Sequence, residues 1–495
     1  MPLKINPNLT AQKLVPKIER LFELSGQKIL NIEKSWKPEN GTPVFTVKGK
    51  YTSRGWTEWT QGFQFGSALL QFDATGDRRF LDLGRDGTIK HMASHVSHVG
   101  VHDHGFNNIS TYGNLLRLMR EGKIEWNERE KDFYELALKV SGAVQAARWT
   151  KFEDAGFIYS FNGPHSLFID AMRSLRSLAV AHQLGQVLMG EQDARISLLR
   201  RLVEHAETTA RCNIYFGEGR GAYDVRGRTA HEAVFNPTNG AFRCPNSQQG
   251  YSPFSTWTRG LAWAICGYAE QLEFFRSVPP HDFDKVATAS WVGNMFERAR
   301  SDTIGARRFS KYLLADMREL GQNARKLFRM AATATADFYL ANSCADGIPM
   351  WDTGAPNLHR LPSNYLNKRS NPFNQWEPVD SSAAAIAAQG FLRLANHLHS
   401  TRTTKYESLY RQAGLTIANT LFSEPYLSTS AKHQGLILHS VYHRPNGWDY
   451  VAPGQKVPNG ESSMWGDYHA RELALMILRE ARGEKYLTFF GCVPD

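Results

Sequence analysis

Ser381-Ser382-Ala383-Ala384-Ala385-Ile386-Ala387-Ala388 is apolar nearly all the way round a helical wheel, and so is Ala262-Trp263-Ala264-Ile265-Cys266. A helix without a polar face has to be buried on every side. Other periodic stretches, residues 190–211 and 403–420, keep one polar face. Helical periodicity recurs about twelve times, starting near residues 10, 59, 77, 107, 128, 165, 190, 255, 322, 381, 403 and 466. Buried helices alternating with half-exposed ones predict two concentric layers. Six helical hairpins supply the twelve helices, so the expected fold is all-α, an (α/α)6 barrel.

The turns support hairpins over βαβ units. Ala74-Thr75-Gly76-Asp77 and Gln183-Leu184-Gly185 each read as a helix end followed by a new start. Glycine supplies the left-handed cap and Asp or Thr opens the next helix. Strand signals are sparse. Residues 215–253 form a long irregular insertion, with a short hairpin expected around Tyr223–Phe235. Residues 352–378 and 442–465 are further long loops, expected to crowd one rim and build a cleft. The whole chain, 1–495, is expected to be one catalytic domain. Residues 276–321, Arg-rich after Pro279-Pro280, are expected to be a helical insertion within it.

Composition narrows the partners. The 495 residues are 42% hydrophobic, enough for a large core. The formal charge is +10, yet there is no dense Lys/Arg run and no zinc-finger spacing, so nucleic acid is not expected. No stretch approaches a membrane span. Five widely spaced cysteines without a CxxC, and no signal-like start, lead to the expectation of a reduced, cytoplasmic protein. No dinucleotide or phosphate-loop motif is found, so no cofactor is expected. The 12 Trp residues suit either sugar platforms or an ordinary core.

Two stretches carry chemistry: Val99-Gly100-Val101-His102-Asp103-His104-Gly105-Phe106 and Phe168-Ile169-Asp170-Ala171-Met172. Each sets an acidic residue among apolar neighbours at a helix edge. Such a carboxylate is either tied down by hydrogen bonds, as a helix cap would be, or tuned for proton transfer. Two of them in one helical chain suggest acid/base work on a sugar. His91, His95, His98, His102 and His104 are dense, and the 91/95 spacing would suit a metal. There is no Glu within the pair and no carboxylate cluster nearby, so a hydrogen-bonded rim without metal is expected.

An ordered set of motifs gives a resemblance. Trp59-Thr60-Gln61-Gly62-Phe63, His102-Asp103-His104-Gly105-Phe106, Phe168-Ile169-Asp170-Ala171-Met172 and Gln249-Gly250-Tyr251 come first. Ser255-Thr256-Trp257-Thr258-Arg259-Gly260-Leu261-Ala262-Trp263, Asp380–Ile386 and Gly466-Asp467-Tyr468 follow in the same order. Together, over residues 55–475, the chain resembles glycoside hydrolase family 88, the unsaturated glucuronyl hydrolases. The resemblance implies an α6/α6 barrel and an unusual reaction. Polysaccharide lyases leave a terminal sugar with a C4=C5 double bond, a vinyl ether with the ring oxygen. Such enzymes protonate C4 and deliver water to C5; the hemiketal opens and the aglycone leaves. By the same resemblance Asp170 is the general acid/base and Asp103 the second acid, which holds sugar hydroxyls. His231 and Gln249 are site residues, and Arg259 and Trp263 lie four apart on one helix face. A guanidinium can fork onto a uronate and an indole can cover a sugar face. Trp59 would be a second platform. The expected partner is an acidic oligosaccharide.

The chain departs from the pattern beside these residues. Arg173-Ser174-Leu175 follows Met172, Asp224-Val225-Arg226-Gly227-Arg228-Thr229 precedes the site histidine, Leu261 replaces a Gln, and Val379 precedes Asp380. Arg173 or Arg228 is therefore expected to contact an extra anion, sulfate or a second uronate. Three alternatives share the pattern: an unsaturated rhamnogalacturonyl hydrolase, a glucuronidase acting on saturated uronides, or a non-catalytic helical-barrel binding protein.

Overall fold

Short capping side chains set where the helices begin. The Thr10 hydroxyl accepts from Lys13 N at 3.3 Å and opens Ala11–Ser35, whose Leu14, Ile18, Leu21 and Phe22 are buried. Gly76, at φ 73°, closes Gln61–Thr75, and the Asp77 carboxylate accepts from Arg79 N at 3.1 Å to open Arg78–His91, as the turn predicts. Asn127, Ser197, Asp380 and Ser463 cap Glu128–Ala147, Leu198–Asn213, Ser381–Ser400 and Met464–Arg482 in the same way. The computed structural model describes residues 1–55, 58–153, 155–279, 282, 320–401 and 404–491. The expected insertion at 276–321 falls almost wholly outside them.

The helices form two rings. Gln61–Thr75, the run His104–Arg120, the pair Ala171–Ser174 and Arg176–Gln183, Thr258–Ser277, Ser381–Ser400 and Met464–Arg482 contact one another in sequence order, and the last returns to the first. Outside them lie Ala11–Ser35, Arg78–His91, Glu128–Ala147, Leu198–Asn213, Leu320–Asn342 and Thr404–Leu421. This is the expected α/α barrel. The Ser381 and Thr258 helices, buried along nearly their whole length, sit in the inner ring. Close approach there depends on glycine. A Cβ on Gly105 would lie 2.2 Å from the Ser174 carbonyl, and one on Gly267 would lie 2.7 Å from the Met172 backbone.

An inner ring threaded through outer returns makes all six inner helices parallel. Their N-termini therefore gather at one rim, where the partial positive ends of the peptide dipoles accumulate. The opposite rim is tied by charge. The buried Asp73 carboxylate, near the end of the Gln61 helix, meets Arg117 at 2.7 Å, Arg479 at 2.6 Å and Lys123 at 2.6 Å.

Strands are few and short, and they revise two expectations. Val187–Met189 pairs with Arg195–Ser197, so the helix expected from 190 starts at Leu198. Gly185 is left-handed (φ 79°) as expected, but this hairpin follows it in place of a helix. The hairpin expected at Tyr223–Phe235 lies further on: Glu232–Phe235 pairs with Phe242–Asn246 and, on its other side, with Ser166–Phe168. The reason is the Leu167, Ala233 and Phe235 side chains, which share a small apolar cluster with Phe152 and Phe157. Among the described residues no helix is long and apolar enough to cross a membrane.

Candidate active site

Asp170 is placed by that small sheet. Strand Ser166–Phe168 ends two residues before it, and Ile169 N donates to the His231 carbonyl at 2.9 Å. Asp170 then stands at the N-cap of Ala171–Ser174, but its side chain makes no capping hydrogen bond. Asp103 likewise stands at the N-cap of His104–Asn108 without capping it. The helix-cap alternative fails for both. The two segments are locked together behind the carboxylates: Ser174 Oγ donates to the His102 carbonyl at 2.7 Å and accepts from Gly105 N at 2.9 Å. Gln145 Nε2 donates to the same carbonyl at 2.8 Å.

Both carboxylates meet at one imidazole nitrogen. His102 Nε2 lies 3.1 Å from Asp170 Oδ1 and 3.9 Å from Asp103 Oδ1. His102 is 1% exposed and Asp103 and Asp170 are 7% and 8% exposed. Burial pushes the Asp103 carboxyl up, and the neighbouring Asp170 charge adds to that against His102 and Arg148. Burial acts on Asp170 in the same direction, but the hydrogen bond and charge of His102, with His231 and Arg259, outweigh it and hold the carboxyl below its ordinary range. Burial would lower His102; Asp103 and Asp170 outweigh it and raise it. The apolar setting of Phe168, Ile169 and Met172 therefore does not leave Asp170 elevated in the free protein. The elevated carboxyl is Asp103.

These groups open into a cavity of about 900 Å³ at the rim. Trp59, Asp103, Asp170, Gln249, Arg259 and Trp263 all line it. Trp59 stacks on Trp465 at 5.1 Å, and Trp263, 2% exposed, packs on Phe106 at 4.9 Å, so little of its indole is open to the space. Arg259 is sandwiched between Trp257 and Trp465, 4.6 and 4.8 Å from their centroids. Its Nη2 donates to Gln249 Oε1 at 3.0 Å and to the Tyr442 carbonyl at 2.8 Å, and its Nη1 donates to the Val441 carbonyl. Asp380 Oδ2 lies 3.4 Å from Nη1. The expected open fork is thus already engaged by protein.

Three expected residues lie elsewhere. His231 is one layer behind the wall, its ring 4.3 Å from Phe168 and 4.9 Å from Trp257. Its Nδ1 accepts from Gln248 N at 2.9 Å, fixing the loop that carries Gln249. Arg173 does not face the cavity. It is fully buried on the barrel axis between Glu270 and Glu472, with Nη2 3.0 Å from Glu472 Oε2, because two acids from other inner helices draw it inward. Arg228 is also outside the lining; its Nη1 donates to the Tyr223 carbonyl at 3.0 Å within its own loop. Neither arginine is placed to meet an extra anion.

Two of the clustered histidines are engaged locally through both ring nitrogens. His95 engages Gln61 Oε1 at 2.8 Å and Asn107 Nδ2 at 3.1 Å, and burial lowers it to about 4. His104 engages Ser141 Oγ and the His98 carbonyl, and is likewise lowered to about 4. Their ring nitrogens are occupied, and no group of three or more metal-ligating side chains forms among the described residues. Sequence reasoning missed His102 as the link between the acids, although it sits inside the quoted motif. It also missed Phe161, Trp257, Tyr442 and Trp448 in the wall. The last two lie in the 442–465 loop flagged as a cleft builder.

Two acids at one histidine, at the mouth of an α/α barrel walled with indoles, define the class: a glycoside hydrolase of the α/α-barrel type. The chain is 25% identical over 447 residues to the unsaturated glucuronyl hydrolase of Bacillus sp. (strain GL1), covering 88% of this chain and 90% of that one. It is 22% identical over 421 residues to the unsaturated glucuronyl hydrolase of Formosa agariphila, covering 84% and 78%. It is a divergent relative of the unsaturated glucuronyl hydrolases. The solved structure of the Bacillus sp. GL1 enzyme has a TM-score of 0.65 at 21% identity, over 98% of this chain and 100% of that one. An aspartate-to-asparagine variant of the Streptococcus agalactiae enzyme, complexed with dGlcA-GalNAc6S, has a TM-score of 0.57 at 17% identity over 98% and 99%. No family model matches the chain.

Proposed function

We propose that the rim cavity removes a 4,5-unsaturated uronic acid from the non-reducing end of lyase-generated oligosaccharides by hydrating the C4=C5 bond. The observation that carries this reading is the pair Asp103 and Asp170, buried side by side at His102 and uncommitted to helix caps. Naming of the relatives, and the dGlcA-GalNAc6S held by one of them, supports the substrate class. In this reading Asp170, protonated, gives its proton to C4. It then takes a proton from the water that adds to C5, and the hemiketal opens. Asp103, its carboxyl pushed up by burial, hydrogen-bonds a sugar hydroxyl. Helix N-termini at the rim favour the uronate carboxylate, and Arg259 holds Gln249 and the 441–442 backbone in place behind it. No displacement at C1 occurs, so the carboxylate-spacing rule for retention or inversion does not apply.

The reading treats the whole chain as one catalytic domain. It keeps the cytoplasmic setting on the strength of Cys212, Cys244, Cys266 and Cys344, which are all free thiols. The test is to supply lyase digests of glucuronate-containing polysaccharides and follow the ultraviolet absorbance of the conjugated double bond. The wild type should bleach it. Asp170→Asn should slow bleaching by about 10²–10⁴-fold with an unchanged melting curve, since general acid/base groups contribute on that scale. Sugar release without bleaching would transfer the chain to saturated uronides. Near-normal turnover in Asp170→Asn would remove that residue from the acid/base role.

A further inference from the structure

We infer that His102 is a positioning residue that stores a proton for Asp170, at the Nε2–Oδ1 contact, and loads it onto the carboxylate when an anionic sugar binds. The inference rests on the reading above. His102 makes its structural bonds through its backbone: the carbonyl that receives Ser174 and Gln145. Its side chain does something different. The ring lies between Phe161, stacked at 6.1 Å, and Phe168, edge-on at 5.7 Å. Nδ1 is buried and has no hydrogen-bond partner among the described residues. The polar contact left to the ring is Nε2 with the two acids.

The reaction itself makes such a store useful. Asp170 loses one proton to C4 and regains one from water, so a turnover consumes none. It must, however, start protonated, and in the free protein it is the acid held ionised. Moving the proton from Nε2 to Oδ1 turns an ion pair into a neutral pair, with the remaining ring proton on Nδ1. A uronate carboxylate brought nearby disfavours a second negative charge on Asp170 and drives that transfer. The groups facing His102 set the balance. Asp103 and Asp170 favour its charge and Arg148 opposes it. His205 and His231 lie close but are each held neutral by burial, at about 3.

The test combines a titration without substrate and a rate profile with it. In the free protein, nuclear magnetic resonance should find the His102 ring protonated above the ordinary imidazole range, and Asp170→Asn should shift that titration towards acid. On an unsaturated disaccharide, His102→Gln keeps an N–H for Asp170 but cannot store a proton. Its kcat should fall by about tenfold or more, with KM little changed and the alkaline limb of kcat/KM moved towards acid. His102→Asn serves if the Gln variant melts early. A ring that titrates in the ordinary range and ignores Asp170→Asn would overturn the inference, as would a Gln or Asn variant with wild-type kcat and limb. If the wild type bleaches no unsaturated saccharide, the functional reading fails, while the free-protein titration still decides the proton pairing.

Discussion

Arg173 illustrates what a single charge does on the barrel axis. Truncating it would remove the nearest cation from Glu270 and Glu472 and leave Arg176 at 4.0 and 3.8 Å in a fully buried site, and breaking a buried pair in that way costs about 3–5 kcal/mol. Arg173→Ala is therefore expected to lower the melting temperature strongly, whichever substrate is offered. Arg228→Ala, outside the cavity, should leave the ratio of activity on sulfated and unsulfated substrates unchanged; a selective loss on sulfated ones would restore its expected role. The contrast with Asp103 and Asp170 explains what was legible at this scale. The two acids stand out because carboxylates among apolar neighbours need a local reason. The partners of Arg173 lie 97 and 299 residues away, where no local pattern reaches. His102 was in view but ambiguous, because its role depends on an acid 68 residues downstream.

The contact between helix His104–Asn108 and the Ala171–Ser174 turn sets the separation of the acids. Gly105 is what allows it. In Gly105→Ala the new methyl would lie 2.2 Å from the Ser174 carbonyl and 2.6 Å from its Cα, both backbone atoms that cannot rotate away. The two elements must part, and the bonds from Ser174 to His102 and Gly105 lengthen with them. Overpacking of this kind costs about 1–3 kcal/mol, and kcat should drop more than stability alone accounts for; thermal melts and kcat on one sample check both. The long helices, such as Ala11–Ser35, Glu128–Ala147 and Ser381–Ser400, were readable because their period repeats over several turns. The strands were not. Three-residue segments such as Ser166–Phe168 and Val187–Met189 are too short to display alternation, and their pairing comes from segments up to 68 residues apart, as for Ser166 with Val234.

The whole barrel is braced at its far rim by Asp73 with Arg117, Arg479 and Lys123, which joins three inner helices near their C-terminal ends. Burial alone would raise this carboxyl; the three cations outweigh it and hold it far below the ordinary range. Its stabilising contribution is complete above the pKa of an unfolded aspartate and is lost as pH falls towards the depressed folded value. Asp73→Asn should therefore cost about 3–5 kcal/mol near neutrality, and the gap to wild type in urea melts should narrow on acidification. The twelve-helix architecture was legible from apolar faces alone, whereas this brace depends on closure of the ring and appears only once the first inner helix meets the last. The gathered N-termini at the near rim have a further consequence. Arg259 is the one Lys or Arg among the described residues lining the cavity, and it is already bonded, so the surplus of +10 is spread over other parts of the molecule. On the proposed reading, capture of a uronate draws on the helix N-termini gathered at this rim, and charges within a cavity are screened less by dissolved ions than surface ones. The enzyme should keep most of its kcat/KM in strong brine, where a catalyst that steers substrates with surface lysines would lose it.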